Sequence, residues 1–525
     1  MSNALNQRAR DALVLLLDAY GIDPSDPATN WIAGNLVAGK GETITLLDPV
    51  TDLPLLTYRD AGAACVSEAV SAATTAQSEW MALSASERGR RLQAAARGLA
   101  GHEDELSRLE SLIAGKPVSD CRGEVAKVRE MFEYYAGWCD KQHGEVIDVP
   151  TTHLNYVQRI PYGVVGQITP WNAPIFTCGW QLAPALAAGN AAVLKPSELT
   201  PLTSVLLAML LEHGGQLPAG LIGIVNGLGH TTGQALTAHD DIAKLVFVGS
   251  PETGQRIAEA GARRLVPSVL ELGGKSANIV FDDAALDDAI GGAQAAIFAG
   301  AGQSCVAGSR LLLQESLLPE FTTRLARAAE AIPVGLPSDD ATRMGPLQNA
   351  AQYRRVHELI DEALAQGATL LTGGKPPGDL PAEAAEGYFL APTILTDVTP
   401  EMTIANEEVF GPVLVVMSFR DEQEAVALAN ATRFGLAGAV WSRDTARALR
   451  IAHQLRAGTV WVNSYKTINV MSPFGGLGES GYGRSSGLDG LREYTLPRSV
   501  WVETAAHATA AMGYGDGQAR PDNSR

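Results

Sequence analysis

Paired cysteines are missing from this 525-residue chain. Its five, Cys65, Cys121, Cys139, Cys178 and Cys305, are odd in number, widely scattered, and form no CxxC pair with ligand-spaced histidines beside it. That argues against a disulfide framework and a structural zinc, so reduced thiols in a cytosolic protein without a metal are expected. Long apolar runs are also absent: none reaches the roughly 18 residues that a membrane-spanning helix needs. Residues 12–17, the most apolar stretch near the start, are bracketed by Asp11 and Asp18, too short and wrongly charged for a secretory signal. Positive charge is scarce, with 40 Lys+Arg against 58 Asp+Glu and a formal net charge of −18. Such a balance would repel nucleic acid. What is plentiful is core material: 46% hydrophobic against 19% charged residues speaks for packed domains and against a disordered chain. At roughly 150 residues each, about two to four domains are expected.

From about Tyr162 short β-branched runs alternate with stretches of helical period. The runs fall at residues 163–168, 191–194, 221–225, 244–248 and 277–281, and residues 201–212 between them repeat apolar positions at three- and four-residue steps. This rhythm predicts a doubly wound parallel sheet covered on both faces. A second set, near 311–313, 413–419, 437–441 and 459–463, predicts a second α/β domain. The N-terminal third reads as mainly helical, including 69–80 and 84–106. Residues 144–158 and 499–503 read as strands of a small projecting sheet. The tail from Ala505, and the first 25 residues, are expected to be mobile or placed apart.

Four local features carry chemistry. The strand ending at Val248 runs into Gly249-Ser250-Pro251-Glu252-Thr253-Gly254 and a helical pattern, which would present backbone N–H groups to a pyrophosphate. The three-glycine dinucleotide fingerprint is absent, and an ordinary tight turn explains this segment as well. Cys305, in Gly302-Gln303-Ser304-Cys305, is a candidate nucleophile in a polar, glycine-flanked loop, although most cysteines are small buried hydrophobes. Glu271, between Leu270 and Leu272, is either ion-paired with Lys275 or desolvated toward the pKa of a general base. Asn172, in Thr169-Pro170-Trp171-Asn172-Ala173-Pro174, follows a core strand at the carboxyl end of the sheet, where it either shapes a turn or donates to an oxyanion.

In order and spacing these segments, with LKPSE at Leu194, ELGGK at Glu271, EEVFGPV at Glu407 and PFGG at Pro473, resemble the NAD(P)-dependent aldehyde dehydrogenase superfamily from about Trp31 to Glu503. The resemblance implies an NAD-binding domain (31–140 and 162–272), a catalytic domain (273–480), and an oligomerisation element with the C-terminal segment (141–161 and 481–504). These are flanked by an N-terminal extension (1–30) and a tail (505–525), in a homodimer or homotetramer.

By the same resemblance Cys305 attacks an aldehyde, Asn172 and the Cys305 N–H hold the oxyanion, hydride passes to the nicotinamide, and water activated by Glu271 releases an acid. The cofactor would be NAD rather than NADP, because Glu198 should repel a 2′-phosphate. Lys195, Ser197 and Glu198 would meet the adenosine end and Gly249 and Ser250 the pyrophosphate. Glu408, with Phe410 nearby, would meet the nicotinamide ribose, and Ile168, Thr169, Pro170, Trp171, Leu272 and Gly273 would line the cleft. Ala173, Trp180, Ser304, Lys466 and Phe474 would surround the aldehyde. Lys466 would attract an anionic or oxygenated substrate or else be a solvated surface lysine. Trp180 stands where succinate semialdehyde dehydrogenases carry an arginine. Gln181 stands where most relatives carry a lysine, which puts the proton-release route in question. The alternatives are an NADP-preferring or acyl-transferring relative and a catalytically idle scaffold.

Overall fold

The computed structural model describes residues 3–506. The expected α/β class holds. One sheet of eight strands runs in the order Gly481–Tyr482, Ser268–Glu271, Ile242–Val248, Val164–Ile168, Ala191–Lys195, Ile222–Ile224, Asn30–Ile32 and Asn35–Val37. Its inner pairings are parallel and its outer ones antiparallel. Strand Ala191–Lys195 is buried at every position, which is why it reads as an apolar run without alternation: helices cover both faces.

A second sheet of seven strands has the order Thr369–Thr372, Thr393–Thr396, Val413–Phe419, Arg310–Gln314, Ala277–Val280, Ala437–Trp441 and Thr459–Val462, antiparallel only at its first pair. Here one expectation fails. The 277–281 run continues the rhythm of the first set, yet it pairs inside the second sheet, between Arg310–Gln314 and Ala437–Trp441. Periodicity reports that a strand is buried and says nothing of its neighbours.

The N-terminal third is less helical than its pattern suggests. Asn30–Ile32 and Asn35–Val37 form a hairpin about Ala33 and Gly34, both at positive φ, and Thr43–Leu47 pairs with Pro54–Arg59. The helical stretch expected over 84–106 is two helices, Ala85–Gly98 and Glu103–Ala114. Between them Gly101 sits at φ +93, a conformation open to glycine, and Glu103, Asp104 and Glu105 then crowd the positive end of the second helix. The first residues are not set apart either. Asn3 caps a helix at Ala4–Asp18 whose Leu13 and Leu17 are buried. Of the expected mobile tail, residues 507–525 lie outside the described residues.

The two extended stretches do pair: His153–Pro161 lies between Thr495–Glu503 and Glu145–Ile147 in a three-stranded sheet. Gly481–Tyr482, by contrast, joins the eight-stranded sheet beside Ser268–Glu271. Among the described residues no helix is long and apolar enough to cross a membrane.

Candidate active site

The eight-stranded sheet delivers its polar residues at the carboxyl ends of adjacent parallel strands. Val164–Ile168 leads into Thr169–Asn172, Ala191–Lys195 ends on Lys195, Ile242–Val248 leads to Gly249 and Ser250, and Ser268–Glu271 ends on Glu271. Parallel pairing fixes this convergence, because all such strands finish on the same edge. The chain then crosses to the second sheet through Leu272, Gly273 and Gly274.

Those two glycines are required by close approach rather than flexibility. A Cβ on Gly273 would stand 2.2 Å from Glu408 Oε2, and one on Gly274 would stand 2.4 Å from the Cys305 carbonyl oxygen. Any side chain at either position would push the Cys305 loop or the Glu408 carboxylate out of the cleft. The Gly274 N–H donates to Glu408 Oε1 at 3.1 Å.

Cys305 is the one cysteine of the five that is not buried. Protein still crowds its thiol enough that desolvation, with the nearby charges of Glu408 and Glu271, pushes its pKa up to about 12. Glu271 is 4% exposed, and neither carboxylate oxygen has a hydrogen-bond partner. Burial raises its pKa to about 8; Ser485 and Arg484 ease the rise and Glu493 adds to it. The expected alternative, an ion pair with Lys275, does not form. Lys275 is 1% exposed, its ammonium is also without a partner, and burial brings it down to about 7.

Asn172 donates through Nδ2 to the Gln303 carbonyl at 2.8 Å, two residues before Cys305. One amide hydrogen therefore ties the Asn172 turn to the cysteine loop and the other is left for a ligand. The helix that follows, Pro174–Ala187, is held at its start by Glu110, which accepts from the Ile175 N–H at 3.1 Å and from the Thr203 hydroxyl at 2.6 Å. Ala173 and Ser304 flank this junction and keep partial exposure.

Trp180 lies 5.0 Å from Phe474 and 5.2 Å from Phe176, ring centre to ring centre, and its indole N–H donates to Ser486. Gln181 is buried on the same helix. Its amide donates to the Ile168 carbonyl at 3.4 Å, while its side-chain oxygen has no partner. An amide in this place carries no titratable proton.

Lys195, 3% exposed, donates to the Pro196 carbonyl at 2.9 Å and lies 3.6 Å from Glu198. Desolvation lowers its pKa, and Glu198 opposes the shift. Ser197 accepts from the Leu199 N–H at 3.3 Å. Ser250 is the exposed N-cap of helix Pro251–Arg264, its hydroxyl accepting from the Thr253 N–H at 3.4 Å. Burial raises Glu408 to about 7, and Trp171 meets Phe410 edge-on at 5.3 Å. An ammonium, carboxylates that accept from hydroxyls, and the N-terminus of a helix suit a dinucleotide by their chemistry.

Some functional neighbours carried no signal of their own. Gln303 joins Asn172 to Gln348, whose N–H donates to Gln303 Oε1 at 2.9 Å. Ser480 donates to the Gly273 carbonyl at 2.6 Å. Ser485, Glu493 and Tyr494 surround Glu271 from beyond the PFGG segment. All are far from their partners in sequence, and only the Gly-rich run 475–487 marks the region as tightly turned.

This geometry agrees with what the chain resembles. The pattern of the aldehyde dehydrogenase family matches residues 36–500, and the chain belongs to that family of oxidoreductases. It is 40% identical to betaine aldehyde dehydrogenase of Bacillus subtilis, over 91% of this chain and 97% of that one. It is 41% identical to human (Homo sapiens) retinal dehydrogenase 2, over 88% and 89% respectively. Among solved structures, PnpE of Pseudomonas sp. WBC-3 in complex with nicotinamide adenine dinucleotide is 43% identical, with a TM-score of 0.90 over 93% of this chain and 100% of that one.

Proposed function

We propose that the protein oxidises an aldehyde to a carboxylic acid with NAD as acceptor, using Cys305 as nucleophile and Glu271 as general base. One observation carries this reading: Cys305, alone among the five cysteines in keeping partial exposure, feels the charge of the buried Glu271 carboxylate. A carboxylate so desolvated is poised to take a proton.

The Cys305 thiol gives up its proton to solvent as its sulfur adds to the aldehyde carbon, and the free N–H of Asn172 with the Cys305 backbone N–H meets the oxygen on which charge develops. When bound, the nicotinamide supplies the acceptor for the hydride that leaves this carbon. The product on the protein is a Cys305 thioester. Glu271 then takes a proton from water as the water oxygen adds to the thioester carbon; the C–S bond breaks, the sulfur recovers a proton, and the acid departs.

Lys195, Ser197 and Glu198 would hold the adenosine ribose, Gly249 and Ser250 the diphosphate, and Glu408 the second ribose. Ile168, Thr169, Pro170, Trp171, Leu272, Gly273 and Phe410 would close the walls. Glu198 favours NAD over NADP because a 2′-phosphate would meet its carboxylate. A homo-oligomer fits the three-stranded sheet, on which Val146 and Trp501 are 74% and 55% exposed. The partition into a cofactor domain, a catalytic domain and this sheet, and a cytosolic setting with reduced thiols, belong to the same proposal.

The test is NADH formation from a panel of aliphatic, aromatic, amino and carboxylated aldehydes with NAD and with NADP. Acid production with NAD from at least one class, lost in Cys305→Ala, is expected; NAD binding without turnover of any aldehyde would overturn the reading. Relatives named for betaine aldehyde and for retinal stand at nearly the same identity to this chain, so overall likeness does not select the substrate.

A further inference from the structure

The turn after strand Thr459–Val462 is pinned in a costly backbone conformation. Asn463 and Lys466 both adopt left-handed φ, +49 and +58. Asparagine is at home there, whereas lysine gains nothing from it. Side chains hold the turn from several directions. Asn463 exchanges hydrogen bonds with the backbone of Ser442 at 3.0 and 2.9 Å, and the Trp461 indole donates to the Thr467 carbonyl at 2.9 Å. The Tyr465 hydroxyl donates to the carbonyl of Val306 at 3.1 Å, beside Cys305. A non-glycine residue kept left-handed by so many bonds points to a use for its side chain.

The Lys466 ammonium reaches back to the Ala299 carbonyl at 3.4 Å, where the turn that leads to the Cys305 loop begins. Among the described residues that is its one hydrogen bond, and no carboxylate lies within ion-pair distance of it. Two of its three N–H donors are thus left over, on a side chain that keeps partial exposure. The charged groups around it are Cys305, Asp120 on helix Val118–Ala136, and Lys116 before that helix. Lys116 is already paired with Glu124. Asp120 has Lys116, Lys466 and Arg343 around it. Burial brings Lys466 down to about 8, with the charges of Cys305 and Asp120 opposing the shift, so at neutral pH it remains mostly protonated.

We propose that Lys466 selects aldehydes carrying a carboxylate, binding that group at the Tyr465–Lys466 turn beside the Cys305 loop. This rests on the aldehyde-oxidising reading above and names its substrate class. The protein's net charge of −18 disfavours anions in general, so a local, desolvated cation is what an acidic substrate would need. Trp180 offers only an indole N–H, already given to Ser486.

The experiment compares a series of ω-oxo acids of increasing chain length, with 4-carboxybenzaldehyde, against their methyl esters, which keep shape and lose charge. It uses the full-length enzyme with NAD. The expected result is a higher kcat/KM for at least one acid than for its ester. In Lys466→Asn, which tolerates the left-handed turn, the acid-to-ester ratio is expected to fall about 10- to 100-fold, mainly through KM, as for loss of a charge-assisted bond. Lys466→Arg is expected to keep the preference. Esters oxidised as well as acids at every length, or a preference that survives Lys466→Asn, would overturn the proposal. If no acid, ester or plain aldehyde is oxidised at all while NAD binds, the aldehyde-oxidising reading itself fails, a result distinct from loss of selectivity.

Discussion

The two large sheets share one rhythm of strand and helix and use it differently. In the eight-stranded sheet the strand ends themselves supply polar groups: Asn172, Lys195, Ser250 and Glu271 all follow directly from parallel strands. The seven-stranded sheet contributes through the segments between its strands. Cys305 precedes Arg310–Gln314, Glu408 precedes Val413–Phe419, and Lys466 follows Thr459–Val462. Groups that must hold a fixed orientation sit on rigid strand termini, while the nucleophile sits on a loop that is braced from outside by Asn172 and Tyr465.

Removing the loop's one reacting atom breaks this arrangement most severely. Cys305→Ala is expected to abolish NADH formation altogether while leaving NAD binding intact, as read by turnover and by titration of protein fluorescence. Next in size is the strand-borne base. Glu271→Gln should release one burst of NADH per site and then lose about 10²- to 10⁴-fold in steady turnover, measured by stopped-flow; normal steady rates would refute its role. Because this carboxyl is raised to about 8 and acts only when ionised, wild-type steady turnover should climb as pH passes through about 8, and that limb should vanish in the Gln variant.

Smaller effects sharpen the contrast between strand ends and loop. Asn172→Ala removes both an oxyanion donor and the tie to Gln303, and a loss of about 10²- to 10³-fold in kcat is expected. Tyr465→Phe removes only the brace on the Val306 carbonyl, costing about 1 kcal/mol locally. Its expected signature is faster modification of Cys305 by a thiol reagent, with little change in NAD affinity. Unchanged thiol reactivity would show that the Asn172 tie alone positions the loop.

Much of this was legible because the signals are local. Residues 163–168, 191–194 and 244–248 announce strands by composition; Glu271 stands out as a carboxylate between two leucines, Cys305 as a thiol in a polar loop, and Asn172 as an amide directly after a core strand. The two failures of organisation have one cause. The 277–281 run and the helical stretch over 84–106 each continue a pattern in the sequence, yet partner choice and the break at Gly101 depend on what packs alongside. The hairpin about Ala33 and Gly34 went unseen because its strands are three residues long, too short for periodicity to register.

The sequence by itself determined the α/β class, the ordered motifs that mark the aldehyde dehydrogenase family, and the residue types able to perform its chemistry, since each rests on neighbours within a few positions. Only the tertiary structure decided that Glu271 is unpaired rather than bridged to Lys275, that Glu110 holds the start of the helix behind Asn172, and that Lys466 turns inward to the Cys305 loop. Those outcomes depend on desolvation and on hydrogen bonds between residues far apart in the chain, quantities that do not exist until the two sheets close on one another.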